Sequence, residues 1–350
     1  MKKAALALGL LATVASSSHA QRGSRATRTA PHAGSVRAAT ARAVPRGLVT
    51  RADLKSGSTE RPAILLTGYW PPSNDGVRQF SANPAQNPGG WQGADWEGRG
   101  YDVYAHFPEF SAAGCSTTCG FCGKGSGELE VDYQDTSADF WPIADALQPI
   151  AILTFSRGNI DTSWELEMNQ YNDAAWIADF QLPIQPTPAP PDASVPEGHL
   201  RLSTLPVDDI ADAVNAAAVG INAFICYSLD GGSYLSEFIA YHGVWYQDLH
   251  SAPTDPAWCI AAGHIHVGCL SSTASVEQAV EVSLRSLIDY VDAVAGQVCQ
   301  PDLGFGGPGG ATLSVCGAEL TTGASASVEV VGAPPGVAGL LPVGFTANPT

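Results

Sequence analysis

Residues 63–68 read Ala63-Ile64-Leu65-Leu66-Thr67-Gly68, a short apolar run closed by glycine. A strand that is covered on both faces needs no polar alternation, so such a run predicts a buried parallel strand. Similar runs recur at Tyr101-Asp102-Val103-Tyr104, Ile150-Ala151-Ile152-Leu153-Thr154-Phe155, Ala223-Phe224-Ile225-Cys226-Tyr227 and His264-Ile265-His266-Val267. Between or after them lie helical patterns over Asp208–Val219, Tyr234–Tyr246 and Ser275–Val294, the last two with apolar residues three and four apart. Strands alternating with helices predict an α/β fold, a three-layer α/β/α sandwich built on a mostly parallel or mixed sheet.

The flanks of this 350-residue chain have a different texture. Lys2-Lys3, the apolar run Ala4–Ala15 and Ser18-His19-Ala20 read as a secretory signal peptide over residues 1–20, cut after Ala20. About 12 apolar residues fall short of the roughly 20 that cross a bilayer, and no later run is longer, so no membrane span is expected. Residues 21–61 hold almost no large apolar side chain and read as a disordered Arg/Ala-rich linker or pro-segment. The α/β body is expected over residues 62–298. From residue 301 to 350, Gly- and Pro-rich sequence with alternating stretches Ala311–Val315 and Ser327–Val331 predicts a small β-rich appendage. The linker is a solubilising spacer, and linker or appendage offers contact with envelope or matrix polymers.

Charge is spread unevenly. Eleven of the 17 basic residues lie at or before Arg61, which leaves six basic against 32 acidic residues beyond it, a net charge of −26. A body this acidic repels phosphate backbones, which excludes nucleic acid as a partner. Composition excludes collagen, coiled coil and a wholly disordered chain. Eight cysteines in a chain with a secretory leader favour disulfides, with few or no free thiols. Cys115-x3-Cys119-x2-Cys122 lacks a fourth ligand at zinc spacing and reads as a disulfide-stapled insertion loop, so no metal and no cofactor is expected.

Three segments carry chemistry. Asp230-Gly231-Gly232-Ser233-Tyr234-Leu235-Ser236 runs from a strand through a Gly-Gly turn into a helix, which sets Ser236 where amides and helix dipole stabilise negative charge. Gly263-His264-Ile265-His266 places two imidazoles on one strand face, either of which suits a general base or half of a metal site. Trp164-Glu165-Leu166-Glu167-Met168-Asn169 offers a carboxylate that could orient an imidazole, in the logic of a triad.

Taken together, the stretch from Ala63 to about Val294 resembles pyroglutamyl peptidase I, the pyrrolidone-carboxylate peptidases that use a cysteine to remove N-terminal pyroglutamate. Ile64–Pro72 is similar to that family's opening strand and T-G-F-x-P-F loop, Leu205-Pro206-Val207 to its L-P-V segment, and Ser228–Leu235 to its S-x-D-A-G-x-Y-L/V. His264-Ile265-His266-Val267-Gly268 is similar to its F-I-H-V-P. The resemblance implies a phosphorylase/hydrolase-like α/β/α fold, His266 as catalytic base, and an orienting acid from an E-x4-N segment. Glu167 to Asn172 has that spacing, and Glu165 fits Asn169 with one residue inserted. It further implies that the family's aromatic pair around the substrate ring falls at Tyr69 and, in place of the second aromatic, at Pro72, which alters the pocket, and it implies a peptide substrate with a blocked or small N-terminal residue.

The chain departs from the family at the nucleophile, where Ser236 stands for cysteine and Glu237 for asparagine, and at Pro72, where a second phenylalanine is usual. A hydroxyl is far less acidic than a thiol of pKa about 8.5, so Ser236 needs His266 to take its proton. Secretion, or export to a periplasm, is also unlike the usual cytosolic member. Two functions follow: a secreted hydrolase using Ser236-His266-Glu167, or a catalytically inactive relative that binds peptides or cell-surface material.

Overall fold

A computed structural model of the chain describes residues 61–111, 115, 118–230, 232–253, 255–296, 312–317 and 326–331. The stretch expected to be a leader, nearly all of the expected linker and the rest of the expected appendage lie outside the described residues. Seven strands form one mixed sheet: β1 (Ala63–Tyr69), β2 (Asp102–His106), β3 (Ala151–Arg157), β4 (Ser163–Tyr171), β5 (Leu200–Leu202), β6 (Asn222–Asp230) and β7 (Ala261–Val267). The order is β2-β1-β3-β7-β4-β5, with β6 also on β4. Strands β2, β1, β3 and β7 run parallel, and β1 and β7 are buried along their whole length, as their continuous apolar runs require.

The β7–β4 junction is antiparallel, and it decides the site. Its register sets Glu165 opposite His266 and Glu167 opposite His264. On the other side of β7, Thr154 pairs with His264 and Ser156 with His266. Since side chains alternate along a strand, all six point to the same face of the sheet. Beyond Glu167 a register irregularity ends the regular β4–β6 ladder, and β5 pairs antiparallel with Asn169–Tyr171.

Helices cover both faces. Ile64, Leu66, Leu153, Phe155, Ile265 and Val267 pack with α1 (Ser73–Val77), α3 (Val207–Ala217) and α5 (Thr273–Gly296). Leu65, Tyr69, Ile152 and Ala262 pack under α2 (Tyr133–Leu147) and α4 (Leu235–Leu249). The second face also carries the buried polar row from β3, β7 and β4, and α4 crosses it. Gly243 on α4 faces this row, where a Cβ would make ordinary contact with Thr154 Cγ2 at 3.4 Å.

The expected strands and helices are present with shifted ends. Four elements were not expected: α1, α2, β4 and β5. Helix α2 has a polar first half and an internal Pro142, which removes one backbone donor. It starts cleanly because Asp132 caps it, accepting from Asp135 N at 2.8 Å. Strand β4 lacks the apolar run of its neighbours because its acidic residues lie in the sheet interior. In the C-terminal region β8 (Thr312–Gly317) and β9 (Ala326–Val331) form an antiparallel pair, as the alternating stretches predict.

Cys115 is joined to Cys122, and Cys119 to Cys269 across 150 residues. The stapled insertion loop is thus also tied to the end of β7. Cys226 and Cys259 are buried thiols, two among eight cysteines, which agrees with the expectation of few free thiols. Cys299 and Cys316 lie outside the residues whose side chains are described. Among the described residues no helix is long and apolar enough to cross a membrane.

Candidate active site

Of the two histidines on β7, one is spoken for. His264 is fully buried, with Nδ1 2.8 Å from Thr154 Oγ1 and Nε2 2.8 Å from Ser156 Oγ. Burial, reinforced by the neighbouring His266, holds its proton affinity well below the usual imidazole range, so it stays neutral. Two hydroxyls that can donate or accept satisfy both ring nitrogens. His264 therefore shapes the floor of the site, while His266, whose ring centroid lies 4.7 Å away, is the imidazole left for chemistry.

His266 Nδ1 lies 2.7 Å from Glu167 Oε1, and both side chains are buried. A carboxylate on Nδ1 favours the tautomer with its proton there and leaves Nε2 as an acceptor, the state a general base needs. Glu167 Oε2 has no hydrogen-bond partner among the described residues. Glu165 is opposite His266 and buried; burial first, then the charge of Glu167, pushes its carboxyl above the usual range, while a bond from Cys226 on β6 works the other way. Ligand atoms of Glu165, Glu167 and His266 lie within 4.8 Å of one another, a donor set that could hold a divalent cation. A proton on Glu165 relieves the same crowding of negative charge.

Ser236 is the second residue of α4 and is buried. The chain enters this helix through Gly232 at φ 93° and Ser233 at φ 52°, left-handed conformations that turn it sharply from β6. Ser233 Oγ donates to Asp173 Oδ2 at 3.1 Å, and Ser233 O accepts from Ile177 N at 2.9 Å. The N-cap Tyr234 supplies no side-chain cap, so none competes with an incoming anion for the first-turn amides. Ser236 Oγ makes no hydrogen bond to His266 among the described residues. Its neighbour Glu237 is fully buried and accepts from Tyr171 N at 2.6 Å, which anchors the start of α4 to the end of β4.

Tyr69 is buried in the core beneath α2, its hydroxyl bonded to Thr136 Oγ1. Pro72 is buried at the start of α1. Three residues not singled out from the sequence join the site. Trp70 stacks on Tyr234, with centroids 6.2 Å apart and planes at 16°, and donates Nε1–H to Gly123 O at 2.7 Å. Arg157, at the end of β3, lies over the Trp70 ring at 5.3 Å. A signal existed for each: Trp70 follows the first strand, Arg157 ends the third, and Tyr234 precedes the Ser236 helix. Gly158 then lets this corner close, because a Cβ on it would come within 3.1 Å of His266 Cβ.

The chain matches no protein-family model and no curated protein. Among solved structures it is similar to a variant of pyrrolidone carboxyl peptidase from the hyperthermophile Pyrococcus furiosus, with 15% identity, TM-score 0.45, and coverage of 65% of this chain and 99% of that one. It is also similar to pyroglutamyl peptidase I of Bacillus amyloliquefaciens, at 16% identity and TM-score 0.43, covering 66% of this chain and 98% of the other.

Proposed function

We propose that this protein is an exported serine hydrolase that cleaves acyl or peptide bonds near the N-terminus of its substrate. What carries the reading is the buried His266–Glu167 pair at 2.7 Å, with Ser236 in the first turn of α4 on the same face of the sheet. The five motif similarities in chain order and the two disulfides, which suit an oxidising compartment, add support.

In this mechanism His266 Nε2 takes the Ser236 hydroxyl proton as Oγ bonds to the substrate carbonyl carbon. The oxyanion that forms is held by first-turn amides of α4. His266 returns the proton to the leaving nitrogen as the C–N bond breaks, leaving an acyl ester on Ser236. Water, deprotonated by His266, then releases the acid. Glu167 keeps the imidazole in the useful tautomer and balances its positive charge.

The absence of a Ser236–His266 hydrogen bond favours a second reading, a relative that binds N-terminal segments without cleaving them. Purified mature protein is assayed on pyroglutamyl, alanyl and simple ester chromogenic substrates beside Ser236→Ala and Ser236→Cys. Turnover abolished by Ser236→Ala supports the hydrolase. Activity of Ser236→Cys on pyroglutamyl substrates would show that the ring is still recognised. Inertness of both wild type and Ser236→Cys, with folding intact, leaves the binding protein as the better reading.

A further inference from the structure

Six basic residues follow Arg61 in a body that carries 32 acids. Five of them are ion-paired: Arg78 with Glu109, Arg99 with Asp289, Lys124 with Asp132, Arg201 with Asp192 and Arg285 with Glu97. Arg157 alone makes no ion pair among the described residues. In so acidic a molecule, a cation left without a carboxylate is the exception, and half-burying one without a counter-charge is costly.

Its surroundings are built rather than accidental. Nη1 donates to Gly120 O at 2.5 Å and to Thr118 O at 3.2 Å, backbone carbonyls of the disulfide loop. The Trp70 ring supports the guanidinium from one side, and Trp70 in turn stacks on Tyr234, two residues before Ser236. The residue after Arg157, Gly158, lies against the site histidine, since a Cβ added there would come 3.1 Å from His266 Cβ. Dipoles and a π face hold the charge in place, but none of them neutralises it. Nε and Nη2 have no partner among the described residues, so the guanidinium fork keeps the donors that suit a carboxylate. Burial lowers the proton affinity of Arg157.

We propose that Arg157 is the carboxylate-binding group of this site, so that its substrates or ligands are small acyl or peptide groups bearing a free carboxylate. Placing that carboxylate on Arg157 fixes the ligand beside His266 at the carboxyl ends of β3 and β7. The assignment of catalytic use rests on the hydrolase reading; anion recognition does not.

The test is calorimetric titration of the mature protein with glutarate and with its neutral isostere glutaramide, in wild type, Arg157→Gln and Arg157→Lys. Glutarate is expected to bind at least about tenfold more tightly than glutaramide, since a charge-assisted bond to a partly desolvated guanidinium is at stake. Arg157→Gln should abolish the difference, and Arg157→Lys should keep part of it, because the charge remains and the fork is lost. Equal binding of the two compounds by wild type, or no glutarate binding, overturns the proposal, and so does a folded Arg157→Gln variant that still prefers glutarate. Should Arg157→Gln fail to fold, wild type against Arg157→Lys decides. A second arm compares kcat/KM for a peptide with a free terminal carboxylate and for its amide. Turnover that ignores this difference leaves the hydrolase standing and removes the role of Arg157. Glutarate binding that depends on Arg157 without any turnover does the reverse.

Discussion

Breaking the Cys119–Cys269 link should cost this protein far more than breaking Cys115–Cys122. The first closes a loop of 150 residues and the second a loop of seven. If a disulfide acts mainly by restricting the unfolded chain, the logarithm of loop length gives about 5 kcal/mol for the long closure and about 2.4 for the short one. For a body of this size a loss of 1 kcal/mol lowers Tm by about 2–4 °C, so the alanine pair at 119 and 269 should melt roughly 10–20 °C lower than wild type. The pair at 115 and 122 should lose about half of that. Thermal unfolding of mature protein at fixed pH and concentration, followed by circular dichroism, provides the comparison. The long closure also anchors the carbonyls of Thr118 and Gly120 that seat Arg157, so its loss should weaken glutarate binding along with stability. Equal losses for the two pairs, or a larger one for Cys115 and Cys122, would refute the reasoning and place the disulfides' contribution in the folded state.

Other consequences are as direct. His242 and His264 are buried and held neutral, His242 down to about 4 and His264 well below the usual range, in both cases chiefly by burial. The unfolded chain takes up protons at about pH 6.5 and the folded one does not, so stability is full above that pH. It should fall below it by up to about 1.4 kcal/mol per pH unit per histidine, as urea midpoints at pH 7.5, 6 and 5 would reveal. In Gly158→Ala the new methyl would press on His266 Cβ at 3.1 Å and on the Val267 carbonyl at 3.4 Å, lowering stability by about 1–3 kcal/mol and activity with it. Glu167→Gln should keep the fold yet reduce turnover roughly a thousandfold or more, because an amide offers Nδ1 a donor and stabilises the wrong tautomer. Unchanged kcat in that variant would remove Glu167 from the mechanism.

Much of this architecture is written locally. Continuous apolar runs such as Ala63–Gly68 specify parallel strands because their neighbours lie on both faces, and the alternation His264-Ile265-His266 says that two imidazoles share a face whatever the partner strand. The turn at Gly232 places Ser236 at a helix start for equally local reasons. Helix α2 escaped such reading although its buried Tyr133, Thr136, Phe140 and Ala144 recur three and four residues apart, because a threonine holds one position of that stripe and Pro142 sits inside the helix. Which histidine is free, which glutamate it meets and which cysteines join are matters of register between distant segments. Glu167 and His266 are 99 residues apart and meet only because β4 pairs antiparallel with β7. A one-residue slip in that pairing would turn both carboxylates to the opposite face. The position of Arg157 is of the same kind: the body holds six cations and 32 acids, and folding alone determines which cation meets no carboxylate among the described residues.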